Sequence, residues 1–407
     1  MKTARQQLLR EIISEGKLQT SEDVHNYLRD LFKDTLQEML EVELETSLGY
    51  EKRERKDKQT KNKRNGYTSK KVKTKYGELA IEVPRDRDGE FEPKVVPKHK
   101  RDISGIEENV ISLYARGMST RDIHDQLKDI YGIKLSAEMV SKITDKIIPK
   151  INEWQNRPLD DIYPFVFMDA IHYKVREDGQ IKSKAAYVVL GVTIDGKKDI
   201  LGIWIGENES SKFWLTILNS LKNRGVKDVL IFSIDGLKGL KEAIQASYPN
   251  AEVQRCIIHQ LRYTFKFVNY KDRKEFARDF KQVYRAVNEE VAFETLTELG
   301  EKWSKKYPYA ITSWESNWDI LSPFFKFPLA IRRIMYTTNI IEGVHRQFRK
   351  VTKTKSVFPT NKSLEKMLYL ASQNIMEKWT TRYRDWDNVL NQLMIFYGER
   401  LAAFALR

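Results

Sequence analysis

After Pro158 the chain becomes a succession of short apolar runs, and that texture restricts the fold more than any other feature. Residues 165–171, 184–194 and 200–205 have strand-forming composition, with Asp195-Gly196 supplying a hairpin turn. A helix is expected over about 210–221, then a mostly apolar strand over 226–235, with Gly236 opening the next helix. Residues 253–258 make a short fifth strand that leads into another helix. Three strands in a meander, followed by alternating helix and strand, predict a mixed α/β sheet rather than a sandwich or a bundle. Asp169 falls inside the first apolar run, where an ionised carboxylate is costly unless a cation pairs with it. Asp235 ends the fourth run, and open α/β sheets place their ligands beyond strand C-terminal ends. Taken singly, either aspartate reads more readily as a turn or a helix cap.

A third carboxylate lies in Tyr336-Thr-Thr-Asn-Ile-Ile-Glu-Gly-Val-His-Arg-Gln-Phe-Arg-Lys350. Asn339 is placed to cap a helix over 339–350, which leaves two readings of Glu342. It is either the capping-box partner of Asn339 or a metal ligand. Arg346, Arg349 and Lys350 follow at offsets of four, seven and eight, so they share one helical face with Glu342. A carboxylate above a row of cations suits phosphoryl transfer on DNA. That chemistry uses two divalent ions about 3.5–4 Å apart, one at the attacking oxygen and one at the leaving oxygen. Mg²⁺, with Mn²⁺ as substitute, takes oxygen ligands, so Asp169, Asp235 and Glu342 plus a substrate phosphate suffice. Cys256 and His259, three apart, invite a zinc reading, but no second pair stands nearby. His259 is better placed near the active site or against the neighbouring helices, and His172 reads as a strand-end residue.

Lys and Arg number 71 against 57 Asp and Glu in 407 residues, a net charge of +14 that favours a polyanionic partner. The length suggests two to four domains, and 41% hydrophobic with 11% aromatic residues fits a globular chain. One cysteine, Cys256, excludes an intrachain disulfide and suggests a reducing compartment. The opening MKTARQQLLREII lacks a signal-peptide core, and no apolar stretch is long enough to span a bilayer. A cytoplasmic protein, or one bound to a nucleoid or chromosome, is expected, with no membrane partner and no small-molecule substrate.

Ahead of the sheet, residues 21–48 carry Val24, Leu28, Leu31, Leu36, Met39, Leu40 and Leu44 at helical spacing, with Ser21 and Asp23 at the start. The most basic stretch follows, including Lys61, Lys63 and Arg64, and is expected to stay extended and touch phosphates. It runs into strand-like pieces at 76–83 and 91–96. Residues 103–156 read as all-helical. Ser119-Thr120 starts one helix, Gly132 turns the chain, and Ser136 caps another helix carrying Met139, Val140, Ile143 and Ile147. Two capped helices around a short turn match a helix-turn-helix, with Arg121, Ser141 and Lys142 as DNA contacts. Residues 270–323 are helical and aromatic, and Trp303, Trp314 and Trp318 read as core rather than as base-stacking platforms.

Asp235-Gly-Leu-Lys238-Gly-Leu, with Ala251-Glu-Val-Gln-Arg-Cys256-Ile-Ile-His259, resembles the signature of mutator-type bacterial insertion-sequence transposases. Arg64-Asn-Gly-Tyr, Glu82-Val-Pro-Arg-Asp-Arg, Gly117-Met-Ser-Thr-Arg-Asp-Ile and Thr337-Thr-Asn-Ile-Ile-Glu342 are similar to other blocks of that family. The resemblance runs from about Leu31 to about Trp379. It implies a ribonuclease H-like core interrupted by an all-helical insertion, with Asp169, Asp235 and Glu342 as catalytic metal ligands and Lys238 and His259 close by. It further implies copied, circular intermediates pasted into new sites.

The expected division is a helical, dimer-forming region over 1–50, a basic linker over 51–101 and a helix-turn-helix domain over 102–157. The first part of the core then spans 158–268, the helical insertion 269–325, and the rest of the core with C-terminal helices 326–407. The expected activity is metal-dependent cleavage and transfer of DNA strands at terminal inverted repeats and target DNA, by a homodimer or larger assembly. A DNA-binding repressor without catalysis and another ribonuclease H-like metal nuclease are the alternatives.

Overall fold

The structure, a computed structural model, describes residues 10, 13–14, 18–52, 60–74, 76–98, 105–131, 135–207, 210–236, 239–336 and 338–405. The chain forms two compact units, Met1–Tyr114 with Met118–Thr144, and Ala115–Gly117 with Asp145–Arg407. Lys238 and Gly132 lie outside the described residues.

In the first unit, helix α1 (Ser21–Leu48) has the expected bounds, and the residue before it, Thr20, is its cap. Thr20 and Asp23 form a reciprocal capping box there. Its second half is buried through Leu36, Leu40, Leu44 and Leu48, while Val24, Leu28, Leu31 and Met39 of the same apolar series are exposed. Strands β1 (Arg64–Thr74) and β2 (Gly77–Asp86) form an antiparallel hairpin under that half. Leu36, Leu40, Val72, Leu79, Ile81 and Val96 make their shared core. Residues 64–74 therefore depart from the expected extended basic arm, because pairing with β2 and burial of Val72 outweigh the repulsion among the lysines. Residues 91–96, expected as a strand, form none. The Glu43 carboxylate instead accepts the N–H groups of Lys94 and Val95 at 2.9 and 3.1 Å, the bonds a partner strand would have made.

Helices α2 (Ile106–Ala115), α3 (Thr120–Tyr131) and α4 (Ala137–Asp145) follow. The Ser119 hydroxyl accepts the Asp122 N–H while the Asp122 carboxylate accepts that of Ser119, and Ser136 Oγ accepts the Met139 N–H at 3.1 Å. Ile123, Leu127, Val140 and Ile143 are buried, whereas Met139 faces outward.

The second unit opens with α5 (Ile148–Asn156) and is organised on a five-stranded mixed sheet. Strands β3 (Ile162–Glu177), β4 (Gln180–Val192) and β5 (Lys198–Gly206) form the meander. Helix α6 (Ser211–Asn223), capped by Ser210, leads to β6 (Asp228–Ile234). Helix α7 (Leu240–Ser247), strand β7 (Glu252–Arg255) and helix α8 (Ile257–Thr264) come next. The order is β5-β4-β3-β6-β7, antiparallel on the meander side and parallel on the other. The mixed α/β class and all five expected strands are present. Helix α7 begins after left-handed Gly239 rather than at Gly236. Tyr163, Val166, Trp214, Leu218, Phe232 and Ile244 belong to the core between sheet and helices.

Helices α9 (Arg273–Tyr284), α10 (Glu289–Trp303), α11 (Pro308–Glu315) and α12 (Trp318–Leu321) follow β7 and α8. Phe276 and Phe280 stack at 4.4 Å among buried Trp303 and Trp314, the core role expected for those two tryptophans. Trp318 is half-buried and donates to Glu289. Helices α13 (Leu329–Met335), α14 (Asn339–Thr352), α15 (Asn361–Met376) and α16 (Trp386–Ala405) complete the unit. Among the described residues no helix is long and apolar enough to cross a membrane.

Candidate active site

Sheet register fixes the first half of the site. Strands β3 and β6 run parallel with Met168 opposite Ile234, so the next residue of each, Asp169 and Asp235, emerge side by side. Neighbouring strands lie about 4.8 Å apart, which brings the two acids together. Asp169 is 5% exposed, and its Oδ1 accepts the N–H of Ala170 at 2.8 Å. Burial, with Asp235 and Glu342 adding to it, pushes the Asp169 carboxyl up to about 7 against the pull of His259 and the Ala170 N–H. Asp235 is more open, and its Oδ1 accepts the Gly236 N–H at 2.6 Å.

Helix α14 carries the third acid, and its start is tied to the sheet. Ser233 Oγ on β6 donates to the Met335 carbonyl at 2.7 Å, and the Ile257 N–H donates to that of Tyr336 at 3.1 Å. Thr338, not Asn339, occupies the cap position, and no side chain caps the helix. The Thr338 hydroxyl instead donates to Cys256 Sγ at 3.2 Å and lies 3.3 Å from His259 Nδ1. The capping-box reading of Glu342 therefore fails: its carboxylate is gripped by Arg262, Nη1 to Oε1 at 2.6 Å and Nη2 to Oε2 at 3.2 Å.

His259 joins the acids. Its Nε2 is 3.2 Å from Glu342 Oε1 and its Nδ1 is 3.6 Å from Asp235 Oδ1. Burial disfavours its charge, but Cys256, Asp235 and Asp169 outweigh that and raise the imidazole to about 9. His345 behaves in the opposite way. Buried on α14, with Arg349 and His259 adding repulsion, it is lowered to about 4 and stays neutral at physiological pH. Its Nδ1 lies 3.3 Å from Asp169 Oδ2, close enough to share one proton with that carboxyl, and its buried Nε2 has no hydrogen-bond partner among the described residues.

Two motif residues hold the frame. Gly236 admits the Arg255 guanidinium, since a Cβ there would stand 2.2 Å from Nη2. Buried Gln254 donates to the Leu321 carbonyl at 3.0 Å and accepts the Phe324 N–H at 2.9 Å, pinning the helical segment to the sheet edge.

Among the described residues, no three His, Cys, Asp or Glu side chains already converge tightly enough to hold a metal ion. The three acids nevertheless fit a hard divalent cation by chemistry: their donors are all oxygen, and they crowd negative charge that His259 and Arg262 now balance. Arg346, Arg349 and Lys350 are exposed. The last two line a cleft of about 710 Å³ with His172 and Lys174. His172 sits within β3 opposite Ala185, not at a strand end. In the first unit Lys61, Lys63 and Arg121 are exposed and Ser141 half-buried. Arg64 is engaged by Glu41 at 2.7 Å and Glu45 at 3.0 Å, and Lys142 pairs with Glu138 at 2.8 Å. The sequence reading missed Arg262, Thr338, Arg255 and His345. Arg255 and Thr338 lay within the motif blocks and Arg262 one helical turn beyond His259, signals that could have found them.

The chain is similar to known proteins along most of its length. The chain is 41% identical over 374 residues to the transposase for insertion sequence element ISRM3 of Rhizobium meliloti (strain 1021), covering 92% of this chain and 93% of that one. It is 34% identical over 351 residues to the transposase for insertion sequence element IS905 of Lactococcus lactis subsp. lactis, covering 86% and 89%. Among solved structures, the Drosophila P element transposase strand transfer complex aligns with 66% of this chain and 92% of its own, at 10% identity and a TM-score of 0.36. That likeness is loose, and the sheet order stands without it. Residues 3–382 match the family described as Transposase, Mutator family, and the chain belongs to that family.

Proposed function

We propose that this transposase cleaves and joins DNA strands at Asp169, Asp235 and Glu342, in a ribonuclease H-like sheet interrupted by the helices between α8 and α14. The observation that carries the reading is the convergence itself. Parallel register sets Asp169 beside Asp235, and α14 brings Glu342 to the same imidazole that faces Asp235. A repressor without catalysis has no use for that convergence.

Asp169, Asp235 and Glu342 would hold two Mg²⁺ ions, or Mn²⁺ in their place. When bound, such ions activate the attacking oxygen and stabilise the leaving one. Water attack on a phosphodiester forms one P–O bond as the bond to the 3′-oxygen breaks, and the proton that water loses is balanced by the one the 3′-oxygen gains. The freed 3′-hydroxyl then attacks a second phosphodiester, whose own 3′-oxygen leaves as a hydroxyl. The chain's own groups prepare this. Arg262, more than half exposed, can swing off Glu342, while protonated His259 keeps Asp235 and Glu342 together. His345 fixes the rotamer of Asp169. Arg346, Arg349 and Lys350 grip phosphates beside the acids. In the first unit, Lys61, Lys63 and the α3–α4 pair with Arg121, Ser141 and Lys142 bind the terminal inverted repeats. Two ends must be held together, so a dimer or larger assembly is required.

The test is strand cleavage and joining on end-sequence DNA with Mg²⁺, comparing wild type with Asp235→Asn. The variant is expected to bind DNA and to lose cleavage by at least about 10³-fold, the scale of losing a principal transition-state stabiliser. Normal cleavage by a DNA-bound Asp235→Asn protein overturns the assignment.

A further inference from the structure

A row of exposed aromatic rings leads away from the acids along α8. His259 and Tyr263 are one helical turn apart, and Phe267 follows in the turn after the helix. Tyr263 and Phe267 meet at 5.3 Å, and Phe267 meets Tyr309 of α11 at 6.2 Å. These rings are 43%, 37% and 73% exposed, in a segment whose own core is already filled by Phe276, Phe280, Trp303 and Trp314. Cations are interleaved with them. Lys266 Nζ lies 5.1 Å from the Tyr263 ring centre, and Arg262 adjoins that ring in sequence while gripping Glu342.

Exposed rings beside exposed cations match unpaired nucleotides, whose bases offer π-faces and whose phosphates offer charge. A base-paired duplex presents no open faces to such a platform. A second protein copy is a poorer occupant, since lysine is depleted from the cores of protein–protein interfaces. We propose that Tyr263, Phe267 and Tyr309 form a stacking platform for unpaired nucleotides of the DNA strand next to the reacting phosphate. The location rests on the proposed strand-cleaving role of the neighbouring acids, whereas binding to the platform can be measured without cleavage. The platform deepens that role, because holding unpaired bases beside the acids fixes which phosphate is presented.

The experiment measures binding of the full chain, in buffer without divalent ions, to a blunt duplex and to the same duplex with a short thymidine tail. Wild type is expected to prefer the tailed duplex, and the preference should vanish when the tail is abasic. Tyr263→Ala with Tyr309→Ala should weaken tailed-duplex binding by about tenfold or more while leaving blunt-duplex binding unchanged. Both tyrosines lie on the surface, and Tyr263→Phe with Tyr309→Phe should restore binding. Equal wild-type affinity for both duplexes overturns the platform. So does an alanine variant that keeps tail binding but falls to a smaller assembly in light scattering, which would make the rings a contact between copies. Failure of wild type to cleave with Mg²⁺ would instead count against the acids and leave the tail measurement standing.

Discussion

Asp169 concentrates the electrostatic tension of the site, and its proton should be visible in stability. An unfolded aspartate ionises near 3.8, whereas folded Asp169 keeps its proton up to about 7. Between those values the native state binds more protons than the unfolded one. The stability from this group is therefore complete below the lower value and lost as pH rises through the upper one. Without divalent ions, Asp169→Asn should melt increasingly above wild type as pH rises from about 5 to about 8, and Mg²⁺ should narrow the gap. A gap that does not change with pH would show that the buried charge is not what strains the site. His345 supplies the companion test. His345→Phe keeps bulk but removes the ring nitrogen that faces Asp169, so cleavage should slow about tenfold to a hundredfold with DNA affinity unchanged. Unchanged cleavage would reduce the contact to packing. This histidine was invisible in the sequence because its role depends on the rotation of α14 against β3. Asp169 and Asp235 stood out as candidates because a charge inside or ending an apolar run is conspicuous, although each alone reads as a turn or a cap.

At the scale of elements, the strands of the mixed sheet were readable because each is an apolar run closed by a turn, and Asp195-Gly196 marked the reversal from β4 to β5. Strand β1 was not, since its lysines argue for an extended arm and only the pairing with β2 reveals the ladder. Residues 91–96 misled in the other direction, because Glu43, some fifty positions earlier, captures their N–H groups. Helix α1 was legible as a helix but not in its use. Its second half packs on the β1–β2 hairpin and leaves Val24, Leu28 and Leu31 as an exposed apolar row on its first half. That row is a candidate surface for self-association. Leu28→Glu with Leu31→Glu should lower the assembly mass in light scattering while leaving the melting temperature nearly unchanged, as surface substitutions shift stability by about 0.5 kcal/mol or less. A mass identical to wild type would remove α1 from the assembly interface.

For the whole molecule, the net charge of +14 predicts binding dominated by release of ions from DNA. Affinity for end-sequence duplex should fall by about 10³ to 10⁵ between roughly 50 and 200 mM salt, as for proteins that neutralise about six to ten phosphates. A flat salt profile would mean that the basic residues do not meet the backbone. The tie between Ser233 and the Met335 carbonyl has a different consequence, one of time. Asp169 and Asp235 are in place once β3 and β6 pair, yet Glu342 reaches them only after the intervening helices have folded and returned the chain to the sheet. Contacts this distant in sequence form late. A chain interrupted between Asp235 and α14, by stalled synthesis or by a protease, would hold two acids of the three. On the proposed role of the acids, such an unfinished molecule would have no means to cut.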